Sequence, residues 1–325
     1  MTKAPTPLRF GLLGASWAGE HAIVQPARER SDVTVSAVAA RDPARAERYV
    51  QTHGIPAIAS DYAALVSRDD VDMVYVGLTP SEHMRWTIRA LEAGKHVLCE
   101  KPFAMNAREA ESMVVAAKSN GRLLLEAWHY RFHPLMLRIE SIVASGVLGR
   151  LRRAKASFHA PIPKLEEAFR WQVALGGGAL LDTGGYTIHI LRTLLRHEPT
   201  VRQATSVLEQ GIDVRTQAVL VFADEVQAEI DCAMTGETLY TELLVEGEGG
   251  RLVVNGFALP QWGCELRLET AAGRLVETSF PTTTYAAQLD HVVKCVSGAA
   301  RPSTGGADAI NNMRVIDAVR SAAVS

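Results

Sequence analysis

Cysteine is scarce in this chain: four residues, Cys99, Cys232, Cys264 and Cys295, stand far apart and form no C-x-x-C pair. Their spacing supports neither a zinc site nor a disulfide framework, so no metal is expected and a reducing compartment suits the chain. An excess of charge is missing too. Lysine and arginine number 34 against 36 aspartates and glutamates, a net charge of -2, which leaves no strong field to attract nucleic acid or an anionic membrane surface. Apolar runs long enough to span a bilayer are absent. The opening segment from Met1 to Pro7 is short and polar, without the apolar stretch of a signal peptide; a cytoplasmic protein, neither exported nor anchored, is expected. Internal repeats are absent as well, so a repeat architecture is not expected.

What is present describes a globular protein. At 47% hydrophobic and 22% charged residues the chain can bury a sizeable core, and its 325 residues exceed the comfortable size of a single one, so two domains are expected. From Leu8 to Glu126, short apolar runs alternate with helix-like segments that open on capping residues and mostly close on glycine, the rhythm of βαβ units. Strands are expected at Leu8 to Leu13, Val33 to Ala39, Val71 to Gly77, Val97 to Cys99 and Leu123 to Leu125. Asp42-Pro43 supplies an N-cap and first-turn proline for a helix reaching Gly54, and Asp61 to Val66 forms a short one. Thr79-Pro80-Ser81 opens a helix that Gly94 ends, and Asn106 with Glu109 forms a capping box for one ending near Gly121. This part reads as a doubly wound parallel sheet of the α/β Rossmann type.

Glu126 to Pro134 is dense in aromatic, basic and imidazole side chains, as a cleft lining or domain seam would be, and marks the boundary between domains 1–126 and 127–325. Leu135 to Ser145 follows as an amphipathic segment. Val226 to Cys232 alternates, with Val226, Ala228, Ile230 and Cys232 facing one way and polar residues the other, the pattern of a one-sided antiparallel sheet. Leu243 to Val254 and Glu265 to Val276 read as hairpins, and helices at Tyr285 to Val296 and Ala307 to Ala323 close the chain. The second domain is therefore expected to be α+β, an open, mostly antiparallel sheet carrying a few helices.

Three stretches carry chemistry. Gly14-Ala15-Ser16-Trp17-Ala18-Gly19 follows the first strand and opens the first helix, as a dinucleotide-binding fingerprint does, with serine in the second glycine place. The helix N-terminus can hold a pyrophosphate, and the Ser16 hydroxyl is placed to donate to it. About twenty residues on, where NAD enzymes place an acid, stand Ala40 and Arg41, and the expectation is NADP, with NAD as the alternative. The second stretch is Glu100-Lys101-Pro102, a charged strand end where open α/β sheets bind ligands, with a Lys101-Pro102 bond expected to be cis. In the third, Gly176-Gly177-Gly178 leads into a helix on which Asp182, Tyr186 and His189 share one face, either a solvated face or part of a site. The three glycines suggest backbone that something must approach closely. A tyrosine serves as acid or base near neutrality only if a cation stabilises its phenolate, and Lys101 is the candidate cation.

The fingerprint, Thr79-Pro80 with His83, Glu100-Lys101-Pro102, Glu126-Ala127 with Tyr130-Arg131, Gly176 to Tyr186 and the last helix together resemble the Gfo/Idh/MocA oxidoreductases. The resemblance implies a cofactor-binding domain bearing Gly14, Ser16, Trp17, Ala18, Arg41, Thr79, Pro80, His83 and Glu100, and a substrate-binding and oligomerisation domain. It implies hydride transfer between nicotinamide C4 and a carbinol or carbonyl carbon of a sugar, cyclitol or dihydrodiol-like molecule. Tyr186 is then general acid or base, Lys101 stabilises its phenolate, and Asp182 orients Lys101 and the substrate. Trp128, Arg131, His159, Arg170, Trp171 and His189 are implied pocket walls, His83 a cofactor-loop residue and Glu100 an anchor of its turn. A homodimer or homotetramer is implied as well. Two alternatives keep the fold: a non-catalytic NADP-binding regulator, against which the intact Lys101, Asp182 and Tyr186 set argues, and an NAD-dependent glycosidase.

Overall fold

The computed structural model describes residues 6–165 and 168–323; most of the polar opening segment lies outside them. The chain forms two compact units. The first runs to His129 and takes in Tyr285–Ile310; the second holds Tyr130–Thr284 and the chain from Asn311 on. The sequence predicts a single boundary at residue 126; in the structure the return segment Tyr285–Ile310 groups with the first unit.

In the first unit, β1 (Leu8–Leu13), β2 (Val33–Ala39), β3 (Met73–Val76), β4 (His96–Cys99) and β5 (Leu124–Glu126) form a parallel sheet in the order β2-β1-β3-β4-β5. Its strands are near-continuous apolar runs because helices cover both faces of such a sheet. The order reverses between β1 and β3, the switch point outside whose strand ends ligands bind. The expected caps form. Asp42 accepts from Ala44 N (3.0 Å), Asp61 from Ala64 N (2.7 Å) and Asn106 from Glu109 N (2.9 Å). Glu109 reaches back to Met105 N (3.1 Å), one residue earlier than a strict capping box requires.

The second unit is built on an eight-stranded sheet ordered β13-β12-β11-β10-β6-β9-β8-β7. Its strands are β6 (Leu151–His159), β7 (Thr200–Glu209), β8 (Ile212–Val221), β9 (Gln227–Ala233), β10 (Tyr240–Gly247), β11 (Gly250–Asn255), β12 (Glu265–Thr270) and β13 (Gly273–Glu277). Every neighbouring pair is antiparallel except β6 and β9. Both expected hairpins form, β10 with β11 across Gly247 and Gly250 and β12 with β13 across Thr270 and Gly273. One face is apolar, with Ala156, Phe158, Ala218, Ile230, Cys232 and Leu243 buried beneath the helix Gly185–Leu195. The other face carries Lys155, His159, Arg215, Gln217, Glu229 and Asp231. Among the described residues no helix is long and apolar enough to cross a membrane, and no group of three or more His, Cys, Asp or Glu is placed to hold a metal.

Candidate active site

The fingerprint turn sits at the switch point. Gly14 has φ +100°, and a Cβ there would lie 2.6 Å from the Gly77 carbonyl oxygen, so the loops after β1 and β3 approach backbone to backbone. Behind the turn the chain is helical from Trp17 to Arg28, with a π-helical stretch at Glu20–Val24. Ser16 Oγ caps this helix by accepting from Gly19 N (3.0 Å), which leaves its own O–H to donate outward. Trp17 is 52% exposed and stacks on His21 at 3.9 Å between centroids. Small side chains, bare backbone and a helix N-terminus fit a dinucleotide's pyrophosphate. At the far end of the crevice, Arg41 lies exposed after β2 while Asp42 is spent on its helix cap. Arg45, which carries no local sequence signal of a role here, donates from Nε to the Ala15 carbonyl (2.8 Å) and so ties that helix to the fingerprint.

The turn after β4 is anchored by its own acid. Glu100 Oε1 accepts from the Tyr75 hydroxyl (2.7 Å) and Oε2 from Lys101 N (3.1 Å), and the Lys101-Pro102 bond is cis. Tyr75 is fully buried in β3; burial and the neighbouring Glu100 push its phenol pKa well up, so it stays a donor. Nothing local in β3 distinguishes Tyr75 from a core aromatic, and only the sheet brings it to Glu100. Tyr75→Phe is expected to lower stability by about 1–3 kcal/mol, read from urea unfolding. His83 is completely buried, with Nδ1 2.9 Å from the Pro102 carbonyl and Nε2 3.0 Å from that of Leu78. Burial lowers its pKa although both carbonyls favour the charged ring. The neutral ring donates to one of the two carbonyls and packs against the other, between the loop before its helix and the Lys101-Pro102 turn.

In the second unit each glycine of the run has its own reason. Gly176 ends a 3-10 turn at φ +87°. A Cβ on Gly177 would lie 2.5 Å from the Arg170 carbonyl oxygen, and one on Gly178, at φ +115°, would lie 2.0 Å from Asp213 Oδ1. The close approach expected at this run is thus made by the protein itself. The chain then enters a π turn, Leu180–Gly184, and the helix Gly185–Leu195.

Asp182, Tyr186 and His189 are only 8%, 4% and 1% exposed, which disposes of a solvated helix face. Burial of so polar a helix is tolerated because its polar groups are satisfied. Thr183 and Thr187 donate back to the Ala179 and Gly184 carbonyls at 3.0 and 2.8 Å. Arg192 pairs twice with Glu198 at 2.7 and 2.8 Å. His189 Nδ1 lies 2.6 Å from the Tyr130 hydroxyl. The Tyr186 ring sits between Tyr130 and Phe158, at centroid distances of 5.7 and 5.1 Å. Asp182 Oδ2 accepts from Arg170 Nε at 2.7 Å.

The remaining expected walls divide. Arg170 reaches Asp182, and His189 joins Tyr130 beside Tyr186. His159 is a correction. Its neighbour Phe158 packs on Tyr186, and successive strand residues face opposite ways, so His159 lies on the far side of the sheet. There its Nε2 is 3.3 Å from Asp231, within ion-pair range but not aligned for a hydrogen bond. Burial opposes ionisation of Asp231, but Arg215, at 2.9 and 2.7 Å, together with His159 outweighs it and holds the carboxyl pKa low. Arg131 pairs with Glu140 at 2.7 Å, Trp171 donates to the Pro163 carbonyl at 3.0 Å, and Trp128 is wholly buried in the first unit.

Residues 8–127 match the oxidoreductase family with an NAD-binding Rossmann fold, and residues 136–253 match the GFO/IDH/MocA C-terminal domain. The chain belongs to the GFO/IDH/MocA oxidoreductases. Among its relatives, the D-xylose 1-dehydrogenase (NADP(+)) 2 of Haloferax volcanii is 32% identical over 320 residues, 97% of each chain. The trans-1,2-dihydrobenzene-1,2-diol dehydrogenase of Macaca fuscata fuscata is 33% identical over 253 residues, 76% of this chain and 75% of its own. The crystal structure of a 3-ketoreductase from Actinomadura kijaniata, in complex with NADP and TDP-benzene, superposes with a TM-score of 0.90 at 28% identity and covers 98% of each chain. The GFO/IDH/MocA pattern of a Rossmann unit and a mostly antiparallel second sheet is thus shared along nearly the full length.

Proposed function

We propose that this GFO/IDH/MocA protein is an NADP-dependent dehydrogenase or reductase acting on a secondary alcohol or ketone of a sugar, sugar derivative or related polyol. The observation that carries the reading is the buried Asp182 and Tyr186 pair, on a helix whose start is built from glycine, in a chain whose fingerprint turn fits a dinucleotide. The relatives that bear NADP or sugars in their names support the same choice. A nicotinamide dinucleotide held at the Gly14–Gly19 turn would supply the acceptor or donor of the hydride. Tyr186 exchanges the proton with the substrate oxygen, as acid in reduction and base in oxidation. Lys101 supplies the positive charge that makes a phenolate accessible near neutrality, and Asp182, steadied by Arg170, orients Lys101 and the substrate. Trp128, Arg131, Arg170, Trp171 and His189 are the proposed walls, His189 through its contact with Tyr130. Thr79, Pro80, His83 and Glu100 shape the loops that receive the cofactor.

Turnover of a panel of aldoses, polyols, cyclitols, dihydrodiols and dicarbonyls, followed at the reduced-nicotinamide absorbance with both cofactors, tests the reading. No turnover of any member with either cofactor would remove it. Arg41 is assigned to the 2′-phosphate of NADP, since Ala40 stands where NAD enzymes place an acid. Arg41→Ala is expected to raise the Michaelis constant for NADP roughly ten- to a hundredfold, the worth of one charge-assisted hydrogen bond, with that for NAD little changed. Equal effects on both cofactors would contradict the assignment. The protein is further proposed to work in the cytoplasm as a homodimer or homotetramer, a second copy covering the open sheet face where Val207 (58% exposed) and Tyr240 (40%) stand among charged residues. Light scattering on the eluted protein checks the assembly.

A further inference from the structure

We propose that Asp213 is a positioning residue for the helix bearing Asp182 and Tyr186, acting on that helix's backbone and touching neither substrate nor cofactor. The inference rests on the role given to that helix above. A helix leaves its first N–H groups unsatisfied, and a Ser, Thr, Asp or Asn just before it normally accepts one of them. Here the preceding residues are Gly176, Gly177, Gly178 and Ala179, and no side chain from this segment caps the helix.

The cap comes from elsewhere in the chain. Asp213, on β8, accepts from Leu180 N through Oδ2 at 2.7 Å, two residues before Asp182 and six before Tyr186. The carboxylate fits because Gly178 has no side chain: a Cβ there would lie 2.0 Å from Asp213 Oδ1. The carboxylate is itself held. Thr216 Oγ1 donates to Asp213 Oδ2 at 3.2 Å and, its one proton being spent, accepts from Ser206 Oγ at 2.8 Å. A chain of hydrogen bonds thus runs from β7 through β8 to the first turn of the helix. Burial pushes the Asp213 carboxyl pKa up, while Leu180 N–H and Thr216 hold it back. A negative charge at this end also complements the helix dipole. Because Tyr186 follows the cap within two turns, a shift of the helix start is carried directly to its ring.

The test uses the full-length chain. Asp213→Ala is expected to lower kcat roughly ten- to a hundredfold, as a misplaced reacting group does, while the dissociation constant for NADP, set in the other unit, stays unchanged. Asp213→Asn keeps an oxygen to accept from Leu180 N and is expected to restore most of the turnover. Amide exchange of the peptide containing Leu180, measured without substrate, is expected to quicken in the alanine variant and not in the asparagine variant. A folded Asp213→Ala protein with wild-type kcat, or with wild-type exchange at Leu180, would overturn the proposal. If that variant does not fold, Thr216→Val, which frees the carboxylate without deleting it, is expected to quicken Leu180 exchange in the same direction; unchanged exchange there counts against the proposal equally. The exchange measurement needs no catalysis, so an inactive wild-type protein would remove the functional reading and leave this test intact.

Discussion

Tyr186→Phe is expected to reduce kcat by roughly two or more orders of magnitude in either direction, the worth of a positioned proton donor, while NADP still binds. The phenyl ring can keep its place between Tyr130 and Phe158, 5.7 and 5.1 Å away between centroids, so the fold should persist and the loss should be chemical. Fluorescence titration of NADP beside the turnover assay separates the two effects. Wild-type turnover of a true substrate by the variant would take Tyr186 out of the reaction.

Lys101→Met keeps the length and apolar stem of the side chain and removes its charge. The turn should survive, because Glu100 holds it through the Tyr75 hydroxyl and the main-chain N–H of residue 101, at 2.7 and 3.1 Å, neither of which needs the ammonium. If the ammonium stabilises the Tyr186 phenolate, kcat should fall by roughly two orders of magnitude. The pH dependence carries the sign. A nearby cation favours the ionised phenol, so deleting it should move the pH at which oxidation reaches its plateau upward, never downward. A pH profile displaced only in height would show that Lys101 contributes something other than tuning.

The first unit was legible almost strand by strand, because its signals are short-range. Apolar runs of three to seven residues, Asp42, Asp61 and Asn106 at helix starts, and the glycine fingerprint each report on their own neighbourhood, and the structure places them as read. The site helix was legible in part. The spacing of Asp182, Tyr186 and His189 showed a shared face, but buried and solvated faces have the same spacing, and only packing on the sheet distinguished them. His159 was misplaced for a related reason: a histidine near other candidate walls in sequence falls on the wrong side of a strand by a single residue.

Composition, periodicity and capping chemistry by themselves determined the fold class, the strand-to-helix position of the dinucleotide fingerprint, the absence of an acid at Ala40 and the cis turn at Lys101-Pro102. Each depends on interactions spanning only a few residues, which leave a local mark in the chain. Tertiary structure alone decided that Tyr75 anchors Glu100, that His189 meets Tyr130, and that Arg170 pairs with Asp182. It alone brought Asp213 to Leu180 across the glycine run. Such pairs join residues from 12 to 59 positions apart on different elements. A carboxylate, phenol or imidazole carries no sequence mark of a partner that only the folded sheet brings within 3 Å.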